Sequence, residues 1–85
     1  MSGERVFVYL LDSLKVPGRP YVGVTSELSA RLAEHNAGRV ASTARYRPWK
    51  MMVSIQFASE ASAVRFERYL KSGSGRAFAK RHLYC

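Results

Sequence analysis

Two short apolar runs near the start of the chain, each carrying a tyrosine, most constrain how it can fold. The first is Arg5-Val6-Phe7-Val8-Tyr9-Leu10-Leu11. The second, Tyr21-Val22-Gly23, follows the segment Val16-Pro17-Gly18-Arg19-Pro20. Both are rich in β-branched and aromatic residues and read as strands, over residues 5–11 and 20–24. Pro17 and Gly18 suit the two central positions of a tight turn. A hairpin over this stretch sets Tyr9 and Tyr21 on neighbouring strands. The near-continuous apolar character of the first run predicts a central strand covered on both faces.

The rest of the chain fills in around that hairpin. Residues 27–37 read as a helix, with Thr25 and Ser26 available as caps, Glu27 in the first turn and Gly38 placed to end it. A basic loop follows over 39–48. Residues 49–57 read as a third strand, in which Met51, Val53, Ile55 and Phe57 alternate with Met52, Ser54 and Gln56. Ser59 is set to cap a second helix over 60–71, with Glu60 in its first turn and Gly73 just past its end. A short last helix is expected over about 75–83, carrying Arg76, Lys80 and Arg81. The order is β-β-α-β-α-α, an α+β fold in which a small three-stranded antiparallel sheet is flanked by helices.

Composition narrows the function. A chain of 85 residues makes one domain, here residues 1–85, with too little buried volume for an elaborate pocket. Function must rest on a shallow surface or a few side chains. Fourteen Lys and Arg against six Asp and Glu give a net charge of +8, which points to a polyanionic partner, most often nucleic acid. The one cysteine, Cys85, cannot close a disulfide within the chain, and a free thiol fits a reducing compartment. No signal-peptide-like or membrane-spanning apolar stretch is present, so a soluble cytoplasmic protein with no membrane partner is expected.

Five residues stand out as carriers of chemistry. Arg31 and His35, at i and i+4, share a helix face that borders the apolar stripe of Leu28 and Leu32. An arginine there can clamp a phosphate and stabilise charge on a transition state; its plain alternative is a stem packed on the core edge with its head in solvent. Glu67 is the acid in the body of the second helix, tilted toward Ala63, Phe66 and Leu70. A carboxylate so placed is either bound to a metal such as Mg²⁺ or paired, to Arg31 or to a neighbour such as Lys71. Tyr9 and Tyr21 are either core residues with satisfied hydroxyls or phenols made more acidic by cations. Arg39, Arg45, Arg47, Lys50 and Arg76 read as contacts to a nucleic-acid backbone, with Tyr46 and Trp49 interleaved.

Taken together, these residues resemble the GIY-YIG nuclease superfamily, in particular its small single-domain members related to the catalytic domains of excision-repair and structure-specific endonucleases. The first motif stands here as Val8-Tyr9-Leu10, the second as Tyr21-Val22-Gly23, the helix signature as Arg31-Leu32-Ala33-Glu34-His35-Asn36, and the glutamate as Glu67 in Arg65-Phe66-Glu67. The resemblance spans about residues 5–81. It implies a GIY-YIG fold and hydrolysis of phosphodiester bonds in DNA with one divalent metal, Mg²⁺ or Mn²⁺. Glu67 would hold the metal and Arg31 the scissile phosphate. Tyr21 or Tyr9 would position or deprotonate the attacking water, with His35 supporting that transfer. Gly23 would allow close approach of backbone or substrate beside Tyr21.

Two positions depart from the pattern. Val8 replaces the first glycine of the name motif, and the stretch 72–79 holds no asparagine after the glutamate. No appended DNA-recognition domain is visible, so cleavage directed by structure, or without specificity, is expected. Two other readings stand beside the nuclease: a non-catalytic nucleic-acid-binding module that keeps the fold, and a subunit active only with a partner protein that supplies specificity.

Overall fold

A computed structural model describes residues 5–84. Strand β1 spans Val6–Ser13 and β2 Tyr21–Thr25; helix α1 spans Leu28–Asn36, a 3-10 turn Ala44–Tyr46, β3 Trp49–Phe57, α2 Glu60–Leu70 and α3 Gly73–His82. The sheet order is β2-β1-β3, with both pairings antiparallel. This is the expected α+β arrangement in the expected order β-β-α-β-α-α. The free-thiol expectation falls on Cys85, which lies outside the described residues. Among those residues no helix is long and apolar enough to cross a membrane.

The central strand is covered on both faces, as its apolar run predicts. Val8 and Leu10 point to one side, against Ala63 and Leu70 of α2 and Ala79 of α3. Tyr9 and Leu11 point to the other, against Trp49 and the α1 residues Leu28 and Leu32. The sheet thus separates two cores, an aliphatic one under α2 and α3 and an aromatic one under α1. The period of two along β1 decides which side chain joins which core.

Alternation along β3 does not hold as the sequence predicts. Leu10 pairs with Val53 but Leu11 pairs with Met51, so Met52 is an extra residue with no partner of its own. A bulge of this kind shifts the side-chain parity. Trp49 and Met51 therefore pack in the aromatic core, while Met52, Val53 and Phe57 pack in the aliphatic one. One face of a regular strand could not have served both.

Helix ends are corrected in two places. Glu27, not Thr25 or Ser26, is the N-cap of α1, and its side chain makes no capping bond. Thr25 instead folds the approach by accepting the Glu27 N–H on Oγ1 at 3.0 Å. At the other end, the Gly38 N–H donates to the His35 carbonyl and the Arg39 N–H to that of Glu34, closing the helix where expected. Ser59 caps α2 by accepting the Ser62 N–H. Gly73, expected to follow α2 as a stop, instead opens α3, because Ser72 caps that helix by accepting the Gly75 N–H at 3.1 Å.

Candidate active site

Strand pairing brings the two tyrosines together. Tyr9 lies opposite Gly23, two residues along β2 from Tyr21, and the phenol rings are 6.2 Å apart between centroids. Gly23 is needed for Tyr9 rather than beside Tyr21: a Cβ at position 23 would collide with the Tyr9 phenol, which lies across the glycine. Tyr9 is only 1% exposed, whereas Tyr21 is half-buried. Of the two phenols, Tyr21 is the one open to solvent.

His35 enters this group from α1 and is fully buried, deeper than the border position its helix face predicts. Its Nε2 lies 3.0 Å from the Tyr9 hydroxyl and its Nδ1 2.8 Å from Thr43 Oγ1. The Thr43 hydroxyl donates in turn to the Val40 carbonyl at 3.3 Å. One proton arrangement satisfies this chain: Nδ1–H donates to Thr43, and Nε2 accepts the Tyr9 hydroxyl proton. Burial lowers the His35 pKa, reinforced by the nearby Arg31 guanidinium and opposed by Glu34. Burial raises the Tyr9 pKa, with Arg31 pulling against it and Tyr21 adding to it. Both shifts favour a neutral imidazole hydrogen-bonded to a neutral phenol. The Tyr21 ring sits 4.9 Å from the imidazole, edge-on.

Arg31 flanks the group at the surface. Its Nη1 lies 2.9 Å from Glu34 Oε1, with 36% of its side chain exposed. Interaction with the Tyr9 phenol and with Glu34 holds the guanidinium well above its ordinary pKa, so it is always charged. Tyr9, Tyr21, Arg31 and His35 thus lie close together.

Glu67 stands otherwise. It pairs with Lys71 one turn on in α2, with 17% of its side chain exposed, and not with Arg31. The ion pair to Lys71, one of the two alternatives the sequence leaves open, is present, since the i+4 spacing delivers a lysine to the carboxylate. Among the described residues no group of three or more His, Cys, Asp and Glu is gathered. A divalent ion at Glu67 would therefore draw on fewer than three such protein ligands, leaving room in its shell for water and substrate phosphate. That donor set fits a hard, well-hydrated cation.

Arg39, Arg45, Arg47, Lys50 and Arg76 are all exposed. Arg45 lies over the Tyr46 ring, 5.8 Å from its centroid. Arg76 shares a cleft of about 500 Å³ with Arg19, Lys71 and Tyr21. Lys50 lines a separate recess beside His82 and Leu83. Three residues support the site in ways that the sequence reading did not assign. Thr43 holds His35; Trp49 Nε1 donates to the Thr43 carbonyl at 3.0 Å; and Asn36 grips the Trp49 backbone at both its N–H (2.6 Å) and its carbonyl (3.0 Å). Asn36 follows His35 in the helix signature, which was its one visible signal. Thr43 had none.

The profile of the GIY-YIG catalytic domain matches residues 5–81, and the chain belongs to that family. It is similar to the structure-specific endonuclease subunit SLX1 of Yarrowia lipolytica, 41% identical over 71 residues, which cover 75% of this chain and 25% of that protein. It is also similar to the UPF0213 protein SpyM3_1077 of Streptococcus pyogenes serotype M3, 33% identical over 78 residues, covering 91% of this chain and 83% of that one. The solution structure of the UPF0213 protein BH0048 from Bacillus halodurans superposes with a TM-score of 0.54 at 26% identity, covering 91% of this chain and 83% of that one. Against the SLX1 relatives the chain spans between 15% and 28% of their length.

Proposed function

We propose that this domain is a divalent-metal-dependent endonuclease that hydrolyses phosphodiester bonds in DNA, directed by structure rather than sequence. The observation that carries the reading is the buried Tyr9–His35–Thr43 chain set behind a half-exposed phenol, Tyr21, and a permanently charged Arg31. Family membership and the endonuclease relatives support it.

Each residue then has a task. Arg31 binds a non-bridging oxygen of the scissile phosphate and stabilises negative charge as it builds there. Tyr21, the accessible phenol, orients the attacking water. Tyr9 and His35 form a neutral pair behind it: the Tyr9 hydroxyl donates to Nε2 and Thr43 fixes the ring at Nδ1, which holds the imidazole in one tautomer and position beside Tyr21. Glu67 would hold Mg²⁺ or Mn²⁺, which when bound polarises the phosphate. Arg39, Arg45, Arg47, Lys50 and Arg76 contact the nucleic-acid backbone.

The test is a panel of flapped, branched, single-stranded and duplex DNA with Mg²⁺, Mn²⁺ or chelator. Cleavage is expected with metal and not with chelator. Arg31→Ala should lower turnover by roughly 10²-fold while binding is retained. Absence of cleavage on every substrate would reject the activity of the isolated domain. A second reading, activity only with a partner protein, is favoured by the word "subunit" in the names of the SLX1 relatives and by the small share of those proteins that the chain spans. Cleavage that appears only when a second protein is added would decide for it.

A further inference from the structure

Besides Tyr9 and His35, Tyr21 has a second set of neighbours that the proposed chemistry leaves unused. It lines a cavity of about 220 Å³ together with Arg19, Ser42, Thr43, Tyr46 and Trp49. Trp49 sits edge-on to both phenols, 6.3 Å from Tyr21 and 6.5 Å from Tyr46, with interplanar angles of 61° and 77°. Three aromatic rings from β2, the 3-10 turn and β3 therefore converge on one small space.

An aromatic cage ordinarily takes an organic cation. Charge argues against that here. No acidic side chain lines the cavity and Arg19 does; Arg45 lies against the Tyr46 ring; and the chain carries +8. A flat neutral ring attached to an anion satisfies both the rings and the arginine. The volume is below the roughly 300–1,000 Å³ of a site for a drug-sized molecule and suits a single ring system. On the other side of Arg19-Pro20-Tyr21 runs the larger cleft, where Arg19 and Arg76 offer two cations beside Lys71, which is itself paired with Glu67. Arg19 belongs to both.

We propose that the Tyr21–Tyr46–Trp49 cavity holds one unpaired nucleobase of a DNA strand, turned out beside the scissile phosphate, while the adjoining backbone phosphates lie on Arg19 and in the Lys71–Arg76 cleft. The proposal rests on the nuclease reading for its substrate, and goes beyond it by naming what makes that substrate structural. Stacking on aromatic rings tolerates any base, so the cavity selects an unpaired state and not a sequence. A base in continuous duplex must first be unpaired and unstacked to enter, whereas one at a flap or branch is already free.

The experiment uses chelator-containing buffer, so that no cleavage is required. The probe is a DNA flap with 2-aminopurine at the unpaired junction nucleotide, compared with the same base inside duplex. Binding of the wild-type protein should quench the flap probe and leave the duplex probe bright. Tyr46→Leu should abolish the quenching and weaken flap binding by roughly tenfold, the effect of a lost base–aromatic stack, with duplex binding unchanged. Arg19→Ser, which leaves the rings intact, should weaken flap binding yet retain the quenching at saturation. Equal quenching by wild type and Tyr46→Leu would overturn the proposal, as would an abasic junction that binds as tightly as the probe. Displacement of the probe by a free nucleoside monophosphate at the strand's own concentration would make this a mononucleotide site and overturn it too. Quenching here, with no cleavage on the metal-containing panel, would remove the nuclease activity of the isolated domain and leave the pocket; cleavage on that panel without quenching here would do the reverse.

Discussion

His35 shows how a small core keeps an imidazole inside. Both ring nitrogens are hydrogen-bonded, to Tyr9 and Thr43, so burial leaves no polar atom unpaired. The consequence is a defined pH window. The folded His35 has a lowered pKa, so below about 6.5 the unfolded chain takes up a proton that the folded one refuses, and stability falls as pH drops. The folded Tyr9 has a raised pKa, so above about 10 the unfolded chain loses a proton that the folded one keeps, and stability falls as pH rises. Thermal melts across pH should show greatest stability between those limits, with the acid-side loss reduced in His35→Gln. An acid limb identical in wild type and variant would contradict the neutral imidazole. Gly23→Ala offers a second check. It drives a methyl into the Tyr9 ring and should cost about 1–3 kcal/mol by denaturant titration, as overpacking does; unchanged stability would mean the ring can move aside. At this scale the sequence marked Tyr9, Tyr21, Arg31 and His35 but could not mark Thr43. Ser42 and Thr43 are adjacent hydroxyls in one loop, and only the folded loop decides which one meets Nδ1.

Among the elements, α2 sets the sign of a stability test at Glu67. A carboxylate on its own facing apolar neighbours would be stabilised by neutralisation. The Lys71 pair, with the lysine 55% exposed, reverses that sign. Glu67→Gln in metal-free buffer should lower stability slightly, by about 0.5 kcal/mol or less, because solvent screens such a pair. The same variant should lose cleavage while retaining DNA binding. Retained cleavage would reduce Glu67 to an ion-pair residue. The junction of α2 and α3 is a second element-scale test: Ser72→Ala removes the cap of α3 and should cost about 1 kcal/mol. Element types were legible because periodicity of two and of 3.6 are local properties. The α3 start was not, since Gly73 carries the same signal whether it ends one helix or opens the next. Nor was the β3 bulge, because Met51, Met52 and Val53 are all apolar and nothing local says which is extra.

Across the whole molecule, charge and shape act together. Net charge of +8 with exposed Arg39, Arg45, Arg47, Lys50 and Arg76 should give DNA affinity that falls with salt, with a log–log slope near −0.9 per neutralised phosphate on duplex. Titrations at several salt concentrations measure it directly, and affinity indifferent to salt would remove the electrostatic basis of binding. The sequence by itself determined the order of strands and helices, the two-sided central strand, the placing of Tyr9 and Tyr21 on neighbouring strands of a hairpin and the basic balance. Each of these follows from local pattern or from summed composition. Tertiary structure alone decided which phenol meets solvent and that Thr43 anchors His35. It also decided that Met52 is the bulged residue, and that Tyr21, Tyr46 and Trp49 enclose a cavity with Arg19 at its edge. These are contacts between residues far apart in the chain, and burial and hydrogen bonding exist only once the separate elements have packed.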